Sequence, residues 1–252
     1  MTDQTSKARL FATLHVPGDP LILFNIWDAG SAKAVAEAGA KALATGSWSV
    51  AAAHGVSDAE GLALDLAIAN LRRIVAAVDL PVSLDFEGGY AVSPQKLAEN
   101  FRAVVNAGAI GCNFEDQVVG GDGLHSVADQ SARIAAMRAV SADAFINART
   151  DLFLKAAPDA HDRALVDAAI ERAKAYADAG ASGFFAPGMM EPSLIAALCE
   201  ASPLPVNIMM FPGVPAAAEL AKLGVARVSH GPGPYRLAMN ALAEAARAEF
   251  AA

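Results

Sequence analysis

Eight short apolar runs, each bounded by turn-forming residues, alternate with longer amphipathic segments along the 252 residues. The runs are Leu21–Ile26, Ala42–Gly46, Val82–Phe86, Ile110–Glu115, Ala144–Arg149, Gly183–Pro187, Pro205–Met210 and Ala226–His230. Between them, Ser31–Ala38, Ala59–Val78, Pro94–Ala107, Val127–Val140, Leu165–Ala179 and Pro192–Cys199 carry helical spacing of apolar residues. Strand followed by helix, repeated, predicts a parallel sheet wrapped by helices. Eight repeats predict closure, so the expected fold is α/β, a (β/α)8 TIM barrel forming a single domain over residues 1–252. Glycines after Glu37-Ala, Asn106-Ala, Asp178-Ala and Lys222-Leu stand where helices end, since a helix C-terminus often needs a left-handed residue. A two-domain doubly wound fold would require a glycine-rich phosphate loop after an early strand, and no GxGxxG or Walker sequence is present.

Composition narrows the function classes. Net charge is −8, from 19 basic and 27 acidic residues, with no basic run, which argues against a nucleic-acid partner. No apolar stretch reaches the length of a membrane span, and the N-terminus lacks the layout of a signal peptide, so a cytoplasmic protein is expected. The two cysteines, Cys112 in a strand and Cys199 in a helix, read as buried structural thiols.

Polar residues gather where the strands end. Asn25 and Asp28 follow the first run, Gly46-Ser-Trp48 the second, Asp85 and Glu87 the third, Glu115–Gln117 the fourth, and Arg149 and Asp151 the fifth. Asn207 lies on the seventh, and Ser229-His230 close the eighth. A barrel of this type carries its chemistry at that end. Asp85 and Glu87 are two apart on a strand and share a face, with Glu115 beside them on the next strand. Three carboxylates facing one space repel one another, and a hard divalent cation, Mg²⁺ or Mn²⁺, relieves that conflict. The competing reading is a structural network of these carboxylates with Arg149.

Together these residues resemble the isocitrate lyase and phosphoenolpyruvate mutase superfamily. The likeness runs from about Asn25 to Arg236 and rests on Asp85-Phe-Glu-Gly-Gly-Tyr90, Glu115-Asp-Gln117, Ala148-Arg-Thr-Asp151 and Glu171–Gly180. It implies that Asp58, Asp85, Glu87 and Glu115 form the metal shell, partly through water. It implies that Gly46, Ser47 and Trp48 bind the substrate's carboxylate and enolate oxygen. Arg149 would bind and polarise the substrate, with Asp85 and Asn207 also at the pocket. The catalytic set is then Arg149, Ser47 and His125, the last as a proton donor from the loop after Glu115. That loop, Val118–Ser126, has neither the cysteine nor the lysine of the isocitrate and methylisocitrate lyases, and Glu87 replaces the usual second aspartate. Its glycines suit a mobile lid.

The expected activity is a Mg²⁺-dependent lyase or decarboxylase. It would cleave a C–C bond at C3 of a small 2-oxoacid or 2-hydroxyacid dicarboxylate through a pyruvate enolate. Phosphorus–carbon chemistry, as in phosphoenolpyruvate mutase or phosphonopyruvate hydrolase, is the second reading, and a barrel that only binds metal or ligand the third. The alanine-rich segment 237–252 reads as a terminal helix, and the resemblance implies that it packs on a neighbouring subunit, giving a dimer or homotetramer. Gly231-Pro-Gly-Pro234 reads as a rigid turn into it, because proline lacks the N–H a phosphate cradle needs.

Overall fold

The computed structural model describes residues 3–251. Its eight strands are β1 (Leu21–Leu23), β2 (Leu43–Ala44), β3 (Val82–Asp85), β4 (Gly111–Glu115), β5 (Phe145–Arg149), β6 (Gly183–Phe185), β7 (Val206–Met209) and β8 (Arg227–Ser229). All pairings between them are parallel, in the order β1-β8-β7-β6-β5-β4-β3-β2. Closure between β1 and β2 is made just past the strands by a parallel bridge from Ile26 to Thr45. Asn25 clasps that seam. Its Oδ1 accepts the His230 and Gly231 N–H groups at 2.9 Å each, and its Nδ2 donates to Thr45 O at 3.0 Å. The expected eight-stranded α/β barrel is thus the observed one.

Around it run α2 (Ala29–Glu37), α4 (Leu64–Ala77), α5 (Pro94–Asn106), α6 (Val127–Val140), α8 (Arg163–Asp178), α9 (Pro192–Ala201), α10 (Ala217–Lys222) and α11 (Gly233–Phe250). Side-chain caps start several of them, Asp28 on α2, Ser93 on α5, Ser126 on α6 and Asp162 on α8, each accepting a first-turn N–H. The glycines expected to end helices do so with positive φ: Gly39 at 98°, Gly108 at 101°, Gly180 at 99° and Gly224 at 89°.

Three helices have no counterpart in the sequence reading: α1 (Gln4–Thr13), α3 (Ser47–Ala53) and α7 (Leu152–Lys155). Helix α1 closes the floor of the barrel, where Phe11 meets Phe145 edge-on at 5.2 Å and His15 stacks on Phe145 at 4.1 Å. The helix expected over Ala59–Val78 begins only at Leu64, because Ala59 and Glu60 adopt left-handed backbone at φ 60° and 62°. The last helix begins earlier than expected, since Pro234 in its first turn suits a helix start.

The outer strand faces pack on the helices through a core that includes Leu71, Ile74, Phe86, Phe101, Phe114, Ile134, Phe184 and Ile208. One sector of the wall is uncovered. Ile22 and Phe24 are exposed beside β1, in a groove of about 720 Å³ shared with Leu14, Val16 and Val35. Helix α11 does not cover it: within α11 only Pro234 is buried, while Leu237, Leu242 and Phe250 are exposed. Among the described residues no helix is long and apolar enough to cross a membrane.

Candidate active site

Two small cavities open at the C-terminal ends of the strands, and they share Ser47, Asp58, Arg149 and Leu154. The first, about 180 Å³, has polar walls from Asn25, Ser47, Asp85, Asn113, Arg149 and Ser229. Trp48, Phe185, Pro187, Met209 and Pro232 complete it with apolar surface. The second, about 230 Å³, is bounded by Glu87, Glu115, Gln117, Asp151 and Lys155.

Each functional side chain is positioned by its own element. Gly46 stands before α3, so the first N–H groups of that helix face the barrel axis, and Ser47 N donates to Asp85 Oδ2 at 2.9 Å. Thr45 Oγ1 accepts the Asp85 N–H at 2.9 Å, and Asn113 Nδ2 reaches Asp85 Oδ1 at 3.4 Å. Glu87 is held from the loop before α4: Glu60 N donates to its Oε2 at 2.6 Å and the Tyr90 hydroxyl to its Oε1 at 3.0 Å. Tyr90 N in turn donates to Glu60 Oε1 at 2.7 Å. These bonds fix an unusual backbone, for Ala59, Glu60, Glu87 and Tyr90 are the non-glycine residues at positive φ among those described. Strain of this kind gathers where function over-determines geometry. Trp48 carries Arg236 of α11 over its ring at 4.6 Å, which joins the start of that helix to the site.

Arg149 lines both cavities, and carboxylates hold its fork: Nε and Nη2 donate to the two oxygens of Asp151 at 2.6 and 3.0 Å, and Nη1 pairs with Glu115 Oε2 at 3.0 Å. The guanidinium is thus a fixed, oriented cation in the wall the two cavities share. Asp116, the middle of the Glu-Asp-Gln triplet, points away and anchors the scaffold. It accepts from Asp151 N at 3.0 Å, Arg172 at 3.0 Å and the Tyr176 hydroxyl at 2.9 Å.

The electrostatics set four carboxyl groups against little positive charge. Burial pushes Glu87 up to about 7, and the Asp85 and Asp58 charges add to that push. Burial pushes Glu115 up to about 8, over the opposing pull of Arg149, with Asp151 and Asp85 adding to the rise. Asp58 is raised by burial and then by Asp85. Burial opposes the Arg149 charge, but Glu115 and Asp151 outweigh it and hold its pKa above the ordinary value. Among the described residues no three carboxylate, imidazole or thiol groups stand close enough together to hold a metal ion directly, so the expected carboxylate shell is not gathered into one cluster. Mg²⁺ keeps several waters and takes only one or two protein carboxylates. The donors present are all oxygens, and Asp58, Glu87 and Glu115 are raised by burial, which fits a hydrated divalent cation held largely through water.

Two other expected residues lie apart from the cavities. Asn207 lies within the barrel instead of lining them. It is 1 % exposed, donates to Ile208 O at 2.9 Å and Ser229 Oγ at 3.1 Å, and accepts from Asn147 at 3.2 Å. His125 stands at the base of a short hairpin bridged from Gln117 to Leu124, and its ring lines neither cavity. Its backbone does the holding, with His125 N donating to Asp116 O at 2.8 Å and its carbonyl accepting from Arg172 at 3.1 Å. Asn113, two residues before Glu115 on one strand face, belongs to the polar strand ends of the sequence and does line the first cavity. Phe185, Met209 and Lys155 line the walls without having been expected there. Lys155 was not recoverable, since nothing in the sequence signals α7.

The family model described as phosphoenolpyruvate phosphomutase matches residues 11–250. A Burkholderia cenocepacia J2315 protein, provisionally assigned as a phosphonomutase, has a crystal structure with TM-score 0.95 to this chain. It is 52% identical, over 98% of this chain and 100% of that one. The 2-methylisocitrate lyase of Escherichia coli K12 is 29% identical, over 92% of this chain and 83% of its own. A phosphonopyruvate hydrolase solved with oxalate and Mg²⁺ shares the fold at TM-score 0.83 and 22% identity, over 94% of this chain and 84% of that one.

Proposed function

The chain belongs to the isocitrate lyase and phosphoenolpyruvate mutase superfamily, and on that premise we propose a Mg²⁺-dependent enzyme that breaks or rearranges the bond to C3 of a small 2-oxoacid through a pyruvate enolate. Cleavage of C–C or P–C bonds in small oxoacids is the chemistry of the superfamily. The sequence alone ranks the C–C bond first. The family model and the 52% identity to a provisional phosphonomutase reverse that order, so a phosphonopyruvate-type substrate is the first reading and C–C cleavage the second.

The observation that carries the enolate reading is the placement of Asp58, Asp85, Glu87 and Glu115 with Ser47 and Arg149 on two adjoining cavities. Asp58, Asp85, Glu87 and Glu115 would hold the cation, in part through water, and Mn²⁺ suits the same oxygens. When bound, the ion supplies Lewis acidity toward the substrate's carboxylate and 2-oxo oxygens. Ser47 and Asn113 offer hydrogen bonds to a substrate in the smaller cavity. Arg149, pinned by Asp151, stands ready where negative charge develops, and needs no reorganisation to stabilise it. Trp48, Phe185, Pro187 and Met209 keep water from C3, which protects an enolate from stray protonation. Lys155 and Gln117, in the larger cavity beside Arg149, suit a phosphonate or second carboxylate as the departing group.

A homo-oligomer belongs to the same proposal, with the exposed apolar face of α11 and the uncovered groove beside β1 as the surfaces brought together.

Oxalate, a flat mimic of the enolate, tests the site directly. Mg²⁺ and oxalate together raise the melting temperature by several degrees when present at about a hundred times their dissociation constants, and either alone does less. No shift with both present would favour a barrel without this chemistry.

A further inference from the structure

The middle of a barrel like this is expected to be filled by branched apolar side chains. Here it holds a guanidinium. Arg227 on β8 is fully buried, and none of the carboxylates among the described residues forms an ion pair with it. Nη2 donates to Asn113 Oδ1 at 3.0 Å, while Nε and Nη1 have no hydrogen-bond partner among the described residues. The nearest aromatic face is that of Phe11, 6.0 Å away at the floor. Burial pulls the group down to about 9, and the Asp85 carboxylate is the largest influence holding it up, so it remains a cation at neutral pH. An unpaired charge in a fold's interior is among the costliest features it can carry, and apolar residues of similar volume are commonly as stable or more so.

The one polar path that leaves Arg227 leads to the site. Arg227 and Asn147 both donate to Asn113 Oδ1, the second at 2.9 Å. Two donors on the carbonyl oxygen fix the amide's orientation and turn its Nδ2 toward Asp85 Oδ1. Asp85 is therefore separated from a fixed positive charge by one carboxamide, and Ser47 N holds its other oxygen.

We propose that Arg227 is a positioning residue that places a permanent positive potential beneath the mouth of the barrel, acting through Asn113. The potential favours negative charge as it develops on the substrate and disfavours a divalent cation beside it. The first effect rests on the enolate reading above; the second does not.

The two effects have opposite signs in a neutral variant, which a merely structural role would not produce. Arg227→Met removes the charge at similar volume, and Arg227→Gln keeps a donor for Asn113. Calorimetry at mildly alkaline pH should show Mg²⁺ binding roughly three- to tenfold more tightly in both variants. The melting temperature of the metal-free variants should not fall. On a substrate turned over by the wild type, kcat should drop about tenfold in both, with KM changed far less. Unchanged or weaker Mg²⁺ binding, a clear fall in melting temperature, or wild-type turnover in Arg227→Gln would each overturn the proposal. A wild type inactive on every 2-oxoacid would instead sink the enolate reading, and the metal and melting measurements would still decide the role of Arg227.

Discussion

Burial raises Glu87 to about 7 and raises Glu115 against the pull of Arg149, so both hold protons to higher pH than an exposed carboxylate does. A cation entering the site must displace those protons, so Mg²⁺ affinity should rise as pH increases through that range. Titration calorimetry in two buffers of different ionisation heat should show proton release near neutrality, fading once pH is well above 8. Without metal the sign reverses. The folded state binds more protons than the unfolded one between the ordinary value of 4.5 and these raised values, so stability falls as pH rises through that window. Metal affinity independent of pH would remove both groups from the shell. The carboxylates were legible in the sequence because two-residue spacing on a strand fixes which face they share. Arg227 was not, because a polar residue in the middle of an apolar run gives no sign of whether it faces the barrel axis or the helices. His125, expected as an acid at the gate from its place on a glycine-rich loop, has its ring outside both cavities in this structure.

At the scale of elements, strands and their exits were readable because glycine punctuates them. Gly108 illustrates the physics. Its φ is 101°, and a Cβ there would lie 2.8 Å from Val75 Cγ1 on α4. Gly108→Ala should therefore cost about 1–3 kcal/mol in urea unfolding, from backbone strain and overpacking together; a neutral result would mean the α5–β4 turn can relax without penalty. Short elements escaped the reading. Helix α3 hides inside the Gly46-Ser-Trp48 motif, yet its first turn presents the Ser47 N–H to Asp85. Helix α7 hides behind Asp151 and brings Lys155 to the second cavity. Neither is long enough to display a helical period, and both are held by tertiary contacts more than by propensity. The missing first turn of α4 has the same origin: Ala59 and Glu60 follow the hydrogen bonds to Glu87 and Tyr90, not their own preference for helix.

The whole molecule is a barrel with one sector of its wall bare and one helix without a partner. Leu237, Leu242 and Phe250 on α11 and Ile22 and Phe24 beside β1 are exposed apolar groups of a kind that association buries. Light scattering should find an oligomer in solution, and Leu242→Asp combined with Phe24→Asp should shift it toward monomer; a monomeric wild type would leave both surfaces for another partner. The architecture itself was legible from its eight alternations, and so was the end of the barrel that bears the chemistry. The bond that is broken was not legible, because the second cavity is built by α7 and by a hairpin whose sequence resembles any glycine-rich loop. A pyruvate enolate formed in a site that needs a divalent cation leaves a product that can be followed when the protein is incubated with phosphonopyruvate, oxaloacetate, methylisocitrate or dimethylmalate. Pyruvate is followed with lactate dehydrogenase and phosphoenolpyruvate directly by phosphorus NMR, with Mg²⁺ or with chelator. Release is expected from at least one of them, phosphonopyruvate first, abolished by chelator and by Glu115→Ala. Release that persists in chelator, or in Glu115→Ala, would contradict that expectation.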